Sequence, residues 1–211
     1  FGTFPPATVS WFLTVNPSGT TGLLNYEVTR SLFISPNPAS TDLFLSSENN
    51  IGKVNIIDAG IGGHTTALTL KQKGLNVKIY ESSPEIKPVG AGIILANNAM
   101  QVFQKLGLQD KIEKAGNKIS YMKITDDQLK PLSVVNLSEY EKKYGVSNVA
   151  IHRGELQRIL ANEIGFDSIN LSKRLTKIEK NELFKLTFED SSTIESKIVI
   201  GADGIKSVVR N

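Results

Sequence analysis

The stretch from Lys53 to Glu81 limits the fold more than any other part of the chain. Lys53-Val-Asn-Ile-Ile-Asp58-Ala is a largely apolar run bounded by turn residues, as a strand buried on both faces in a parallel sheet would be. Gly60-Ile-Gly62-Gly63 then leads into a helical stretch from His64 to Lys73, with lysines in its last turn and Gly74 as its stop. Asn76-Val-Lys-Ile-Tyr-Glu81 restarts the strand pattern and ends on an acid. Strand, glycine turn, helix, strand and terminal acid within about 30 residues make a βαβ unit with the fingerprint of a dinucleotide site.

The spacing has a chemical reason. Gly60 allows close backbone approach to a pyrophosphate, and Gly63 allows the helix to pack tightly on the strand. The helix N-terminus offers unpaired N–H groups and the positive end of a dipole. Gly60, Gly62 and Gly63 are therefore candidate cofactor-binding residues, and Glu81 is expected to accept from a ribose hydroxyl. One letter departs from Gly-x-Gly-x-x-Gly: the first glycine position is Asp58. Aspartate tolerates the turn's backbone angles only partly, and its carboxylate beside a pyrophosphate is a like-charge contact. Weakened cofactor binding is the expectation. His64, a lone histidine at the helix start, is expected on the surface.

Three further motifs follow in order. An acid precedes Pro88-Val-Gly90-Ala-Gly92-Ile, which continues to Asn98-Ala and a helix ending Leu106-Gly-Leu. Ile151-His-Arg153 opens a second helix, and Val199-Ile-Gly-Ala-Asp203-Gly204 runs on to Arg210. Together these resemble the single-component FAD-dependent monooxygenases of the aromatic hydroxylase type, over residues 53 to 210. The resemblance implies FAD as cofactor, with NAD(P)H as co-substrate, and hydroxylation or epoxidation of an aromatic or olefinic small molecule. It adds Gly92, Arg153 and Asp203 to the cofactor-binding candidates, with Gly204 and Arg210 beside Asp203. Arginine suits a pyrophosphate because its planar fork donates paired hydrogen bonds. The family's second flavin motif and the rest of its substrate sheet have no counterpart in the 211 residues, so the expectation is an N-terminal portion that is not catalytically competent alone. No catalytic acid or base is assigned.

The fold class expected is α/β: a truncated Rossmann-like FAD-binding domain with inserted β strands, preceded by a small β-rich segment. Strands are expected at 119–125, 133–137, 169–178, 183–189 and 197–201, and helices at 99–106, 109–114 and 153–164.

Composition supports the division into residues 1–50 and 51–211. The first 50 residues hold one basic residue, Arg30, and three acids, Glu27, Asp42 and Glu48, and no lysine precedes Lys53. Their apolar runs, separated by Asn16-Pro17-Ser18-Gly19 and Ser35-Pro36-Asn37-Pro38, read as strands and turns. Residues 35 to 58 resemble the C-terminal sorting domain of type IX secretion cargo. A fusion of two sequences near residue 58 is the expectation, as is a fragment or processed product, because the chain opens on Phe1. The enzyme resemblance implies a cytoplasmic protein and the sorting resemblance an exported one.

A net charge of +3, well mixed along the second segment, excludes the dense basic stripe of a nucleic-acid binder. Absence of cysteine excludes disulfides and thiol chemistry, and two histidines make a histidine-rich metal site improbable. No apolar run reaches the ~20 residues of a membrane helix, so the partner expected is a small-molecule substrate.

Overall fold

The computed structural model describes residues 53–86 and 90–210. The elements run β1 (Lys53–Ile57), α1 (Ile61–Gln72), β2 (Asn76–Tyr80), β3 (Gly92–Leu95), α2 (Asn97–Lys105), α3 (Gln109–Ala115), β4 (Asn117–Ile119) and β5 (Tyr121–Thr125). They continue with β6 (Pro131–Asn136), α4 (Ser138–Tyr144), β7 (Asn148–His152), α5 (Arg153–Ile164), β8 (Ile169–Asn170), β9 (Leu175–Lys180), β10 (Phe184–Phe188), β11 (Thr193–Ser196) and β12 (Ile198–Gly201).

A parallel sheet in the order β12-β1-β2-β8 forms the centre. Alternation along its strands divides the core in two. Val54, Ile56, Val77, Ile79 and Ile200 point to one face and join Ala67, Leu68 and Leu70 of α1 and Leu156, Leu160 and Ile164 of α5. Ile57, Tyr80 and Val199 point to the other and join Phe184, Leu186 and Phe188 of the antiparallel sheet β11-β10-β9. The Tyr80 and Phe188 rings stack with centroids 5.1 Å apart. A buried polar link ties the two sheets: Asn55 Nδ2 donates to Ser196 Oγ at 2.7 Å, and Ser196 Oγ donates to the Ile198 carbonyl at 2.6 Å.

Chain direction sets where a ligand can sit. From β1 the chain crosses to β2 on one side, while β12 arrives on the other. The C-terminal ends of β1, β2 and β12 therefore share one edge, at the point where strand order reverses, and open α/β sheets bind ligands there. Among the inserted strands, β3-β7-β4 form one antiparallel sheet and β5-β6 a separate hairpin. Apolar side chains on that hairpin are exposed, among them Tyr121, Ile124, Leu132 and Val134.

The α/β class with inserted strands is as expected, and α5 occupies its expected span. The expected strand 119–125 divides at Ser120: Asn117–Ile119 pairs with β7 while Tyr121–Thr125 pairs with β6. The expected strand 169–178 divides likewise into β8 and β9, with Ser172 between them at φ 55°. The β-rich segment of residues 1–50, including most of the sorting-domain resemblance, lies outside the described residues. The described part of that resemblance, β1, is a central strand of the parallel sheet. Among the described residues no helix is long and apolar enough to cross a membrane.

Candidate functional site

The turn after β1 is built on a residue that strains it. Asp58 has φ 89°, in the region that favours glycine. Its N–H donates to the Tyr80 carbonyl at 2.8 Å, and its Oδ2 accepts from the Gly60 N–H at 2.9 Å. Gly60 has ordinary extended angles and is the N-cap of α1, with no side chain to cap the helix. A side chain on Gly60 would put its Cβ 2.6 Å from Asp58 Oδ2. Gly63, in the first turn of α1, comes so close to β1 that a Cβ would lie 2.0 Å from the Asp58 carbonyl oxygen. The expected role of Gly63, close helix-to-strand packing, is thus visible in the geometry. Gly62 sits between them in the same helical turn.

Glu81 follows β2 and is buried. Its Oε2 accepts from the Ala59 N–H at 2.7 Å, and its Oε1 from the Ser83 N–H at 2.8 Å and the Ser82 hydroxyl at 3.1 Å. Burial disfavours its ionised form, but the N–H groups of Ser83 and Ala59 more than offset this and hold the carboxyl below the usual range. Asp58 goes the other way. Burial first, then the neighbouring Glu81 charge, push its carboxyl up to about 6 against the lowering effect of the Gly60 N–H; a hydrogen bond with the Glu81 side chain and the Asp203 charge add to the rise. Two adjacent carboxyls are therefore set apart by their donors.

A cleft of about 310 Å³ opens on this edge, lined among others by Asp58, Gly60, Glu81, Glu85, Arg153 and Gln157. Arg153 and Gln157 lie one turn apart on α5 and so share a face. Gln157 Nε2 donates to the Ala59 carbonyl at 2.8 Å, fixing the turn from α5. Gly90 has φ +127°, and a Cβ there would meet the Arg153 side chain at 3.2 Å, so the loop before β3 lies against that arginine. Gly92 pairs with His152 across β3 and β7, and nothing stands within 4 Å of where its Cβ would be.

The cleft thus unites Gly60, Glu81 and Arg153 of the sequence candidates. Asp203 lies beyond the end of β12, and its carboxylate holds its own turn, accepting from the Ser207 hydroxyl and the Val208 N–H, each at 2.7 Å. Gly204 takes φ 72° in that turn, and the Arg210 guanidinium donates to the Ile205 carbonyl at 2.6 Å. His64 corrects its expectation: it is fully buried. Its ring stands on the apolar stripe of α1 with Ala67 and Leu68, and its Nδ1–H donates to the Gly60 carbonyl at 2.9 Å. Burial lowers its pKa, against the raising influence of the Gly60 carbonyl and Glu81, so it supports the turn as a neutral ring. Gln157 was missed in the sequence, where a polar helix residue carries no signal of its own.

These features define an α/β nucleotide-binding unit with its cleft at the strand switch. The chain belongs to the FAD binding domain family, whose match covers residues 52–211. It is 32% identical over 161 residues to the 6-hydroxynicotinate 3-monooxygenase of Bordetella bronchiseptica, covering 75% of this chain and 42% of that protein. It is 34% identical over 165 residues to the FAD-dependent urate hydroxylase of Mycolicibacterium vanbaalenii, covering 75% and 41%. The crystal structure of Klebsiella pneumoniae HpxO complexed with FAD and uric acid superposes with a TM-score of 0.69 at 30% identity, over 75% of this chain and 41% of that one. The chain therefore spans about two fifths of the length of the relatives it matches.

The residues present fit a flavin dinucleotide at the uncapped start of α1, at the fixed Glu81 carboxylate and at Arg153. Asp58 opposes it by charge and by holding the Gly60 N–H, and Glu85 brings a further carboxyl to the lining.

Proposed function

We propose that residues 53–210 are the FAD-binding part of an NAD(P)H-dependent monooxygenase acting on a small aromatic or heterocyclic molecule. The observation that carries this reading is Glu81. It is a buried carboxylate, oriented by two backbone N–H groups at the end of β2, the place where a dinucleotide's ribose meets a parallel sheet. Glu81 keeps acceptor capacity for a ribose hydroxyl on Oε2, which takes the Ala59 N–H, while Oε1 already accepts from Ser83 and Ser82. Gly60, Gly62 and Gly63 hold the first turn of α1 close to the pyrophosphate, whose charge its N–H groups and dipole stabilise. Arg153 neutralises the same group from α5. Gly92 has open space where a Cβ would stand and would leave room for the cofactor, and Asp203 stiffens the turn at the end of β12. FAD held by these residues would supply the redox chemistry of an NAD(P)H-dependent oxygenation. The protein's part is to orient the cofactor and exclude water. The enzyme reading implies a cytoplasmic protein.

The test is retention of flavin. Protein incubated with FAD and passed through a desalting column is expected to elute with a protein-bound flavin spectrum and a raised melting temperature. Colourless protein stabilised by NAD or ADP, and not by FAD, would instead establish a site for another nucleotide.

A further inference from the structure

We propose that Asp58 makes cofactor entry proton-operated. Ionised, it holds the Gly60 N–H and places its charge at the glycine turn; protonated, it loses the charge and weakens its hold on that N–H, which opens the turn to an anionic pyrophosphate. This rests on the FAD reading above.

Three geometric facts support it. Asp58 Oδ2 lies 2.9 Å from the Gly60 nitrogen, so a donor at the N-cap of α1 is already occupied from within the chain. The strained backbone at φ 89° fixes the residue in the turn itself. Its side chain also lines the cleft with Glu81 and Arg153, so an incoming diphosphate meets it directly.

The groups around Asp58 make its proton the one that moves near neutrality. Glu81 beyond β2 is held ionised by Ala59 and Ser83, and Asp203 beyond β12 adds negative charge. Glu85 lines the cleft from the loop after β2, and Arg153 supplies positive charge from α5. His64 on α1 has its pKa lowered by burial. With the Asp58 carboxyl at about 6, the binding-competent protonated fraction falls about tenfold for each pH step above that value. Apparent FAD affinity follows that fraction.

FAD titrations of the full chain between about pH 5 and 8, followed by flavin fluorescence, test the idea alongside Asp58→Asn and Asp58→Gly. Wild-type affinity is expected to fall about tenfold per pH unit above about 6 and to be roughly 100-fold weaker at pH 8 than at pH 5. Both variants are expected to bind with little pH dependence, and at pH 8 more tightly than wild type. Asparagine keeps the side-chain shape without the charge and glycine removes the strain, so one variant stands if the other fails to fold. A flat wild-type profile with measurable binding, or the same slope in a variant, overturns the proton coupling and leaves the FAD site intact. Failure of all three proteins to bind FAD at any pH overturns the FAD reading and this inference with it.

Discussion

Gly63→Ala is expected to destabilise the chain by about 3 kcal/mol or more, read as a fall in the midpoint of urea denaturation. The added methyl carbon would lie 2.0 Å from the Asp58 carbonyl oxygen and 3.5 Å from the Ala202 Cβ. The first obstacle is backbone at the end of a central strand, and it cannot turn aside as a side-chain tip can. Either α1 lifts from β1, loosening the shared core of Val54, Ile56, Ala67 and Leu68, or the turn distorts. Both routes also displace the N-terminus of α1, so FAD affinity is expected to fall with stability. Gly92→Ala is the matched control. Nothing lies within 4 Å of its Cβ position, so stability is expected to stay within about 0.5 kcal/mol of wild type. An unchanged denaturation midpoint in Gly63→Ala would show that α1 does not need its close approach to β1.

Asp58→Gly acts in the opposite direction. At pH 7 it is expected to stabilise the fold by about 1–2 kcal/mol, a change of several degrees in melting temperature. Part of the gain is relief of the positive φ, which costs a non-glycine residue on the order of 1 kcal/mol. The rest comes from removing a desolvated carboxylate. Displacement of its pKa from 3.8 to about 6 corresponds to ~3 kcal/mol in full, and to roughly half of that once its partial exposure is discounted. Glycine's greater freedom in the unfolded chain and the lost Gly60 contact set ~1 kcal/mol against this.

The pH dependence has a definite sign. The folded pKa lies above the unfolded one, so native Asp58 binds its proton more tightly, and its ionisation penalises the fold. That penalty is absent below about pH 4, grows between about 4 and 6, and is complete above 6. The stability difference between Asp58→Gly and wild type is therefore expected to widen through that window, measured by denaturation at each pH. A variant less stable than wild type at pH 7 would contradict both the strain and the charge assignments.

Strong periodic signals made the nucleotide unit legible in the sequence. In β1, alternation of Val54 and Ile56 with Asn55 and Ile57 matches a strand covered on both faces, and the change to helical spacing after Gly60 marks α1. Glu81 was readable because its place is fixed by the end of β2. The inserted elements were less so. Helix α4 buries no residue and so lacks an apolar stripe, while β11 has four residues in which Ser196 carries the buried contact. β7 was hidden between polar letters, although Val149 and Ile151 alternate correctly and are buried. The division of 117–125 between two sheets depends on which partner strand is nearer, a tertiary choice that local pattern does not encode. His64 did leave a signal: it stands three and four residues before Ala67 and Leu68, on the buried face of α1. In the sequence, Asp58 shows only a charge at the first glycine position. The structure adds the carboxylate's hold on Gly60 and its proximity to Glu81, which turn a general repulsion into a proton-linked one.

A crystal structure of the chain with FAD, grown below about pH 6 where Asp58 is protonated, would show directly whether the cofactor occupies the cleft at the start of α1. The predicted result places a ribose hydroxyl on the Glu81 carboxylate and the pyrophosphate over Gly60, Gly62 and Gly63 within reach of Arg153. Density for FAD elsewhere on the molecule, or an empty cleft with Asp58 still holding the Gly60 N–H at saturating FAD, would contradict it.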